Sequence, residues 1–297
     1  MKEAEQGYLL LTSHMGDSTR PVLTVAQLRN LALAVQSAER SREDRDLQPE
    51  DLMALGYGRE FADRVVALLS EKSRLKNYVF KGWQEKAVPI CRISSLYPAR
   101  LRQKLGLDSP GVLWAKGDFS LLEKPAIALV GSRELREENA AFAAEVGKQA
   151  ALQGFVLISG NARGADRIAQ ESCLKNGGQV ISIVADSLQD KTLQDNVLYL
   201  SEDSYDLPFS AQRAHSRNRL IHAMGQMTFV AQSNLEKGGS WSGAVENLRH
   251  GRSALYVFCD GSAAAQALID RGAKAVDLKM LSDLKNLPGE EQNKINL

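Results

Sequence analysis

From Pro125 onward, apolar and polar positions fall into blocks whose lengths suit strands and helices in turn. Ala126–Val130 (AIALV) is an unbroken apolar run, the pattern of a strand buried on both faces, and Phe155–Ile158 (FVLI) is a second. Gln179–Ala185, Val197–Leu200, Met227–Gln232, Ala254–Cys259 and Ala275–Leu278 read as further strands. Between them, Glu137–Gln153, Gly164–Lys175, Arg213–Met224, Ser240–His250 and Ser262–Asp270 read as helices, and Gly154, Gly177, Gly251 and Gly272 stand just past helix ends. Strands alternating with helices of this length predict an α/β protein with a doubly wound, mostly parallel sheet.

Residues 1–75 carry a different pattern. Val25–Ser37 places Leu28, Leu31, Ala32 and Val35 on one helical face, with Thr24 as N-cap. Ser41–Asp46 (SREDRD) is a charged break, and Gln48–Ser70 reads as helix, glycine turn, helix around Gly56 and Gly58. Such a unit either clamps a DNA backbone or, more commonly, is only a small helical module. The expected division is a helical module over 1–75, the sheet domain over 76–279 and a polar tail, loosely held or frayed, over 280–297. Residues 76–124 are a transition that holds a short basic helix opened by Pro98 and a strand at Val112–Ala115.

Composition narrows the function. The chain has 297 residues and a net charge of +1, so it has no global basic field, and any nucleic-acid surface must be local. Cys91, Cys173 and Cys259 lie far apart and form no CxxC, which fits a reduced, cytoplasmic protein. The apolar run Tyr8–Leu11 is too short for a signal core or a span, so no membrane partner is expected. His14, His215, His222 and His250 are too scattered for a metal site, and neither a P-loop nor GxGxxG occurs, so no cofactor is expected.

Four segments at strand ends hold the candidate chemistry. Gly131-Ser132-Arg133 follows the first strand and Ser159-Gly160-Asn161-Ala162-Arg163-Gly164 the second. Neighbouring parallel strands bring both turns to the carboxyl edge of the sheet, where open α/β sheets bind ligands. Glycine lets backbone N–H groups approach, and arginine grips phosphate with two parallel bonds. Asp166 either orients an arginine or caps the next helix. Gln212–His222 carries Arg213, Arg217 and Arg219 without an acid, which is either a phosphate-binding face or a solvated one, and Asn218 suits capping or base contact. Lys237-Gly238-Gly239-Ser240 opens a helix as an anion cradle, and Glu246 lies further along that helix.

In this order the segments resemble the DNA-processing protein A (DprA/Smf) family. The residues that carry the resemblance are GSR at 131–133, SGNARGAD at 159–166, SE at 201–202, RNRLI at 217–221, the turn and helix at 240–250 with Gly251-Arg252, and Gly272-Ala273; YPARLR at 97–102 and VLWAKGD at 112–118 precede them. The resemblance implies an extended Rossmann-like fold, a homodimer, binding of single-stranded DNA during natural transformation, and loading of RecA. It carries the family's phosphate pocket onto Ser132, Arg133, Ser159, Gly160, Arg163 and Gly164, and its basic helix onto Arg217, Asn218 and Arg219. Three positions depart from the family pattern: Gln170 replaces a histidine, Ala214 an aromatic, and Cys259-Asp260-Gly261 a Pro-Gly pair. Two alternatives stay open: a nucleotide N-glycosidase using Glu246, and a nucleotide-sensing domain of the same superfamily.

Overall fold

Two of the first helices form where a capping signal meets an apolar stripe. In the computed structural model, which describes residues 1–38 and 45–287, the first five helices are α1 (Glu3–Thr12), α2 (Val25–Ser37), α3 (Pro49–Met53), α4 (Arg59–Ser70) and α5 (Lys72–Gln84). Thr24 caps α2 as expected: its hydroxyl accepts from the Gln27 N–H at 3.2 Å, and the Gln27 side chain accepts from the Thr24 N–H at 3.1 Å. Leu23, Leu31, Leu52, Ala62 and Val65 form one buried cluster against which Leu55, Tyr57 and Phe61 pack. Val35, expected on the buried face of α2, is exposed instead. Most of the expected break Ser41–Asp46 lies outside the described residues.

Helix α5 falls where the sequence suggests only a transition. Its apolar period rests on Leu75, Tyr78 and Gly82, with Lys76, Phe80 and Lys81 between them and Trp83 just after, and this masks the stripe. Gly82 lies against Trp114, whose ring makes an edge contact with Tyr78 at 5.4 Å. The chain continues through β1 (Val88–Cys91), α6 (Ala99–Leu105) and β2 (Val112–Gly117), with β1 and β2 antiparallel. Pro98 sits at the N-cap of α6, just outside its first turn.

The chain separates into two compact units. The first takes Met1–Ala115 with Ser187–Asp190 and Ser201–Leu207, and the second takes the remainder. The second unit holds the alternation. It runs β3 (Ala126–Val130), α7 (Glu137–Leu152), β4 (Val156–Ser159), α8 (Ala165–Lys175), β5 (Gln179–Val184), β6 (Val197–Glu202), α9 (Ala211–Met224), β7 (Met227–Val230), α10 (Gly238–His250), β8 (Ala254–Phe258), α11 (Ala263–Asp270) and β9 (Lys274–Val276). The strands lie in the order β6-β5-β4-β3-β7-β8-β9. β3 pairs in parallel with both β4 and β7, β4 with β5, β7 with β8, and β8 with β9. All five residues of β3 are buried, as its unbroken apolar run requires of a central strand. This is the expected α/β, Rossmann-like arrangement.

Residues 280–287 are held more firmly than a polar tail would be. Leu281 and Leu284 are buried, and Gln153 brackets them, donating to the Leu281 carbonyl at 2.8 Å and accepting from the Leu284 N–H at 2.7 Å. Residues 288–297 of that expected tail lie outside the described residues. Among the described residues no helix is long and apolar enough to cross a membrane.

Candidate nucleic-acid interface

The strand order reverses between β3 and β7. The chain runs outward from β3 through β4 to β5, then returns to place β7 on the other side of β3. Outside the carboxyl ends at such a reversal an open sheet leaves a crevice. Here it is a cleft of about 500 Å³. Gly131, Ser132, Arg133 and Glu134 enter it from the end of β3, and Asn234, Lys237, Gly238, Gly239 and Ser240 from the segment after β7. Ala162 and Asp166 border it from the β4–α8 turn, and Ala214, His215, Arg217 and Asn218 from α9.

The turns are stitched together by main chain. Ser132 donates its N–H to the Gln232 carbonyl at 3.0 Å and accepts from the Ala165 N–H at 3.2 Å. Gly164 has φ +87°, and a Cβ there would stand 2.5 Å from the carbonyl oxygens of Ser132 and Arg133. Only glycine lets the two turns lie this close. Asp166, buried in the first turn of α8, accepts from the N–H groups of Gly160 at 3.1 Å and Ala162 at 3.3 Å. It therefore shapes the turn that precedes its helix. Burial pushes its carboxyl up, against the pull of Arg217 and of the two N–H groups.

Arg217 faces inward. It is buried on α9, and its Nη1 donates to the carbonyls of Gly160 and Ile183. Burial lowers its pKa, and Asp166 and Asp186 oppose that shift. A Cβ at Gly160 would collide with the guanidinium. Arg217 thus ties the ends of β4 and β5 to α9 and sets a buried cation under the cleft. Asn218, next along the helix, donates to the Gly239 carbonyl at 3.2 Å and fixes the start of α10.

Other expected residues stand apart. Arg163 does not line the cleft; it is 71% exposed and paired with Glu134 at 3.1 Å. Arg213 donates to the carbonyls of Ala185 at 3.0 Å and Pro208 at 2.9 Å, and neither it nor Arg219 lines the cleft. Ser159 is buried behind it and accepts from Gln170 at 2.5 Å, and Gln170 also reaches Ser182 at 3.3 Å. The glutamine that replaces a histidine therefore bridges β4 and β5. Glu246 pairs with Arg252 at 3.2 Å, away from the cleft lining. At Asp260, burial pushes the carboxyl up, but hydrogen bonds from Ser262, Asn139 and Arg136 hold it below the usual range.

His215 and Asn234 reach the cleft although the sequence pattern does not single them out as binding residues, and Lys237, the first residue of the expected anion cradle, reaches it too. For Lys237 a signal was present: it stands immediately before the Gly-Gly-Ser that opens α10. Among the described residues no group of three or more His, Cys, Asp or Glu side chains is placed to hold a metal ion.

Helix α9 also carries His222, fully buried with both ring nitrogens unpartnered among the described residues. Burial, with Arg252 adding to it, pushes this imidazole down to about 3. An unfolded histidine binds its proton near pH ~6.5. Below that pH the unfolded chain takes up a proton that the folded one refuses, so stability falls as pH drops through this window. Between about pH 7 and 5 the loss from this one group is roughly 2 kcal/mol. Urea unfolding of wild type and His222→Leu at both pH values checks it; equal losses in the two proteins would count against it.

A family model for DNA recombination-mediator protein A matches residues 89–285. The DNA processing protein DprA of Bacillus subtilis is 29% identical over 214 residues, spanning 67% of this chain and 71% of that protein. That of Streptococcus pneumoniae is 31% identical over 189 residues, spanning 57% of this chain and 64% of that protein. The crystal structure of DNA processing protein A from S. pneumoniae superposes with a TM-score of 0.69 at 22% identity, covering 93% of this chain and 95% of that one. The Helicobacter pylori protein, solved for its single-stranded DNA binding mode, superposes at 0.56 with 24% identity, covering 67% of this chain and 94% of that one. At these identities both superpositions speak to the fold.

Proposed function

The chain belongs to the DNA recombination-mediator protein A family, whose work is DNA processing in DNA uptake and recombination, and from that premise we propose that it binds single-stranded DNA across the cleft between the ends of β3 and β7. One observation carries this reading. Arg133 and Lys237 come from two different strand ends and line the same cleft, and neither makes a side-chain hydrogen bond or ion pair among the described residues. Two unneutralised cations beside an open helix N-terminus make a surface for successive phosphates. The buried Arg217 adds positive potential from below. The H. pylori protein's single-stranded DNA binding is in keeping with this reading.

Ala214 sits in the cleft where an aromatic would give a base its stacking partner. Affinity therefore rests on phosphate contacts and carries little sequence preference. In fluorescence anisotropy with labelled single-stranded and duplex oligonucleotides, we expect preference for the single strand. We also expect about a tenfold loss of affinity between ~50 and ~200 mM salt, from two to three phosphates at ~0.7 each in the logarithmic slope. Salt-independent binding, or preference for duplex, would overturn the reading. The same reading takes the protein as a cytoplasmic homodimer that passes its strand to RecA, with residues 1–75 as a helical module. Sedimentation and co-elution with RecA on oligonucleotide test those parts.

A further inference from the structure

Helix α5 buries Leu75, Tyr78 and Gly82 and leaves its opposite side in water. On that side Lys72, Lys76, Phe80 and Trp83 follow one another within roughly an 80° arc at 100° per residue. Trp83 is 67% exposed, more than any other large apolar side chain described, and Phe80 is 56% exposed. Their ring centroids lie 6.4 Å apart. Single exposed apolar residues are ordinary, but two adjacent aromatics aligned with two lysines are not. No acid falls within the arc; the nearest, Glu71 and Glu85, lie on other sides of the helix. Lys76 makes no ion pair or side-chain hydrogen bond among the described residues. Lys72 has one exposed contact, to Asp46 at 3.3 Å, of the kind a phosphate readily displaces.

We propose that this face of α5 is a second binding surface for single-stranded DNA, with bases stacked on Phe80 and Trp83 and phosphates on Lys72 and Lys76. The proposal takes its ligand class from the cleft reading and adds what that cleft lacks. Aromatic faces accept any base, and lysines one or two turns away hold the backbone. The helix does not need these rings for its own packing: Tyr78 and Gly82, on the other side, meet Trp114. Substitutions at positions 80 and 83 therefore leave the fold intact.

The chain has three tryptophans, and Trp114 and Trp241 are buried, so a stacked base can quench mainly Trp83. Titration with unlabelled oligo-dT is expected to quench that fluorescence. Phe80→Ala with Trp83→Ala should weaken binding about tenfold or more, whereas Trp83→Phe should lose the quench and keep most of the affinity. The cleft variant Arg133→Ala with Lys237→Ala should still show the quench at high oligonucleotide concentration. If that variant binds like wild type while the α5 variant does not, the cleft reading fails and the α5 surface stands. Absence of a quench, a quench that survives in Trp83→Phe, or unchanged affinity in the double alanine variant each overturns the α5 proposal. So does a change in sedimentation without a change in DNA affinity, which would assign the face to a second copy of this chain.

Discussion

Arg217→Leu is expected to lower stability by about 3 kcal/mol, through the loss of a buried donor to two carbonyls. The carbonyls of Gly160 and Ile183 would lose that donor inside the protein, and Asp166 would lose its principal favourable cation. In a protein of this size such a loss lowers Tm by roughly 5 °C. Arg217→Lys should recover part of it, because the charge returns without the planar fork. The pH dependence has a definite sign. Burial already raises the Asp166 carboxyl in the folded state, and removing Arg217 raises it further. A group raised on folding favours the folded state at low pH and loses that contribution as pH rises through its folded value. The deficit of Arg217→Leu should therefore shrink as pH falls through the acid range. Urea unfolding of wild type and both variants across that range measures it, and a deficit independent of pH would remove Asp166 from the account. DNA affinity should fall with stability, since the Gly160 turn loses its tie.

Arg133→Ala with Lys237→Ala should do the reverse, with little effect on folding and a large effect on binding. Both side chains are exposed, so stability should stay within about 0.5 kcal/mol. Removing the cation opposite one phosphate costs about 1 kcal/mol of binding, so affinity for single-stranded DNA should fall roughly 25-fold at low salt. The slope of log K against log salt should flatten by about 1.4, which is ~0.7 for each of two phosphates. Arg163→Ala provides the contrast. Its side chain is not part of the cleft lining and sits in an exposed pair with Glu134, so its removal should change affinity only slightly. If Arg163→Ala weakens binding as much as the double variant does, the strand does not follow the β3–β7 cleft.

The two variants separate residues that look alike in the sequence. Arg133, Arg163, Arg217 and Arg219 all stand in glycine-rich turns or an acid-free helix, and their residue types alone make them equal candidates for phosphate. The structure gives them different surroundings. Arg217 falls on the face of α9 turned toward the sheet, beside Leu220 and Ile221, where its guanidinium meets strand-end carbonyls. Arg163 is exposed and pairs with the Glu134 carboxylate. Lys237 was legible as part of a Gly/Ser turn, but its place opposite Arg133 depends on which strand lies next to β3. That is a long-range pairing with no local sequence signal.

Local chemistry in the sequence determined most of the elements. Buried strands read as unbroken apolar runs, helices ended near glycines, and the order of turns identified the family, because each depends on residues close together along the chain. Helix α5 escaped, since its buried stripe of Leu75, Tyr78 and Gly82 includes a glycine and is crowded by exposed aromatics and lysines. The tertiary structure alone decided which cations stay free. Whether an arginine meets solvent, a carboxylate or a buried carbonyl depends on what the folded chain packs against it, and those neighbours come from strands and helices distant in sequence.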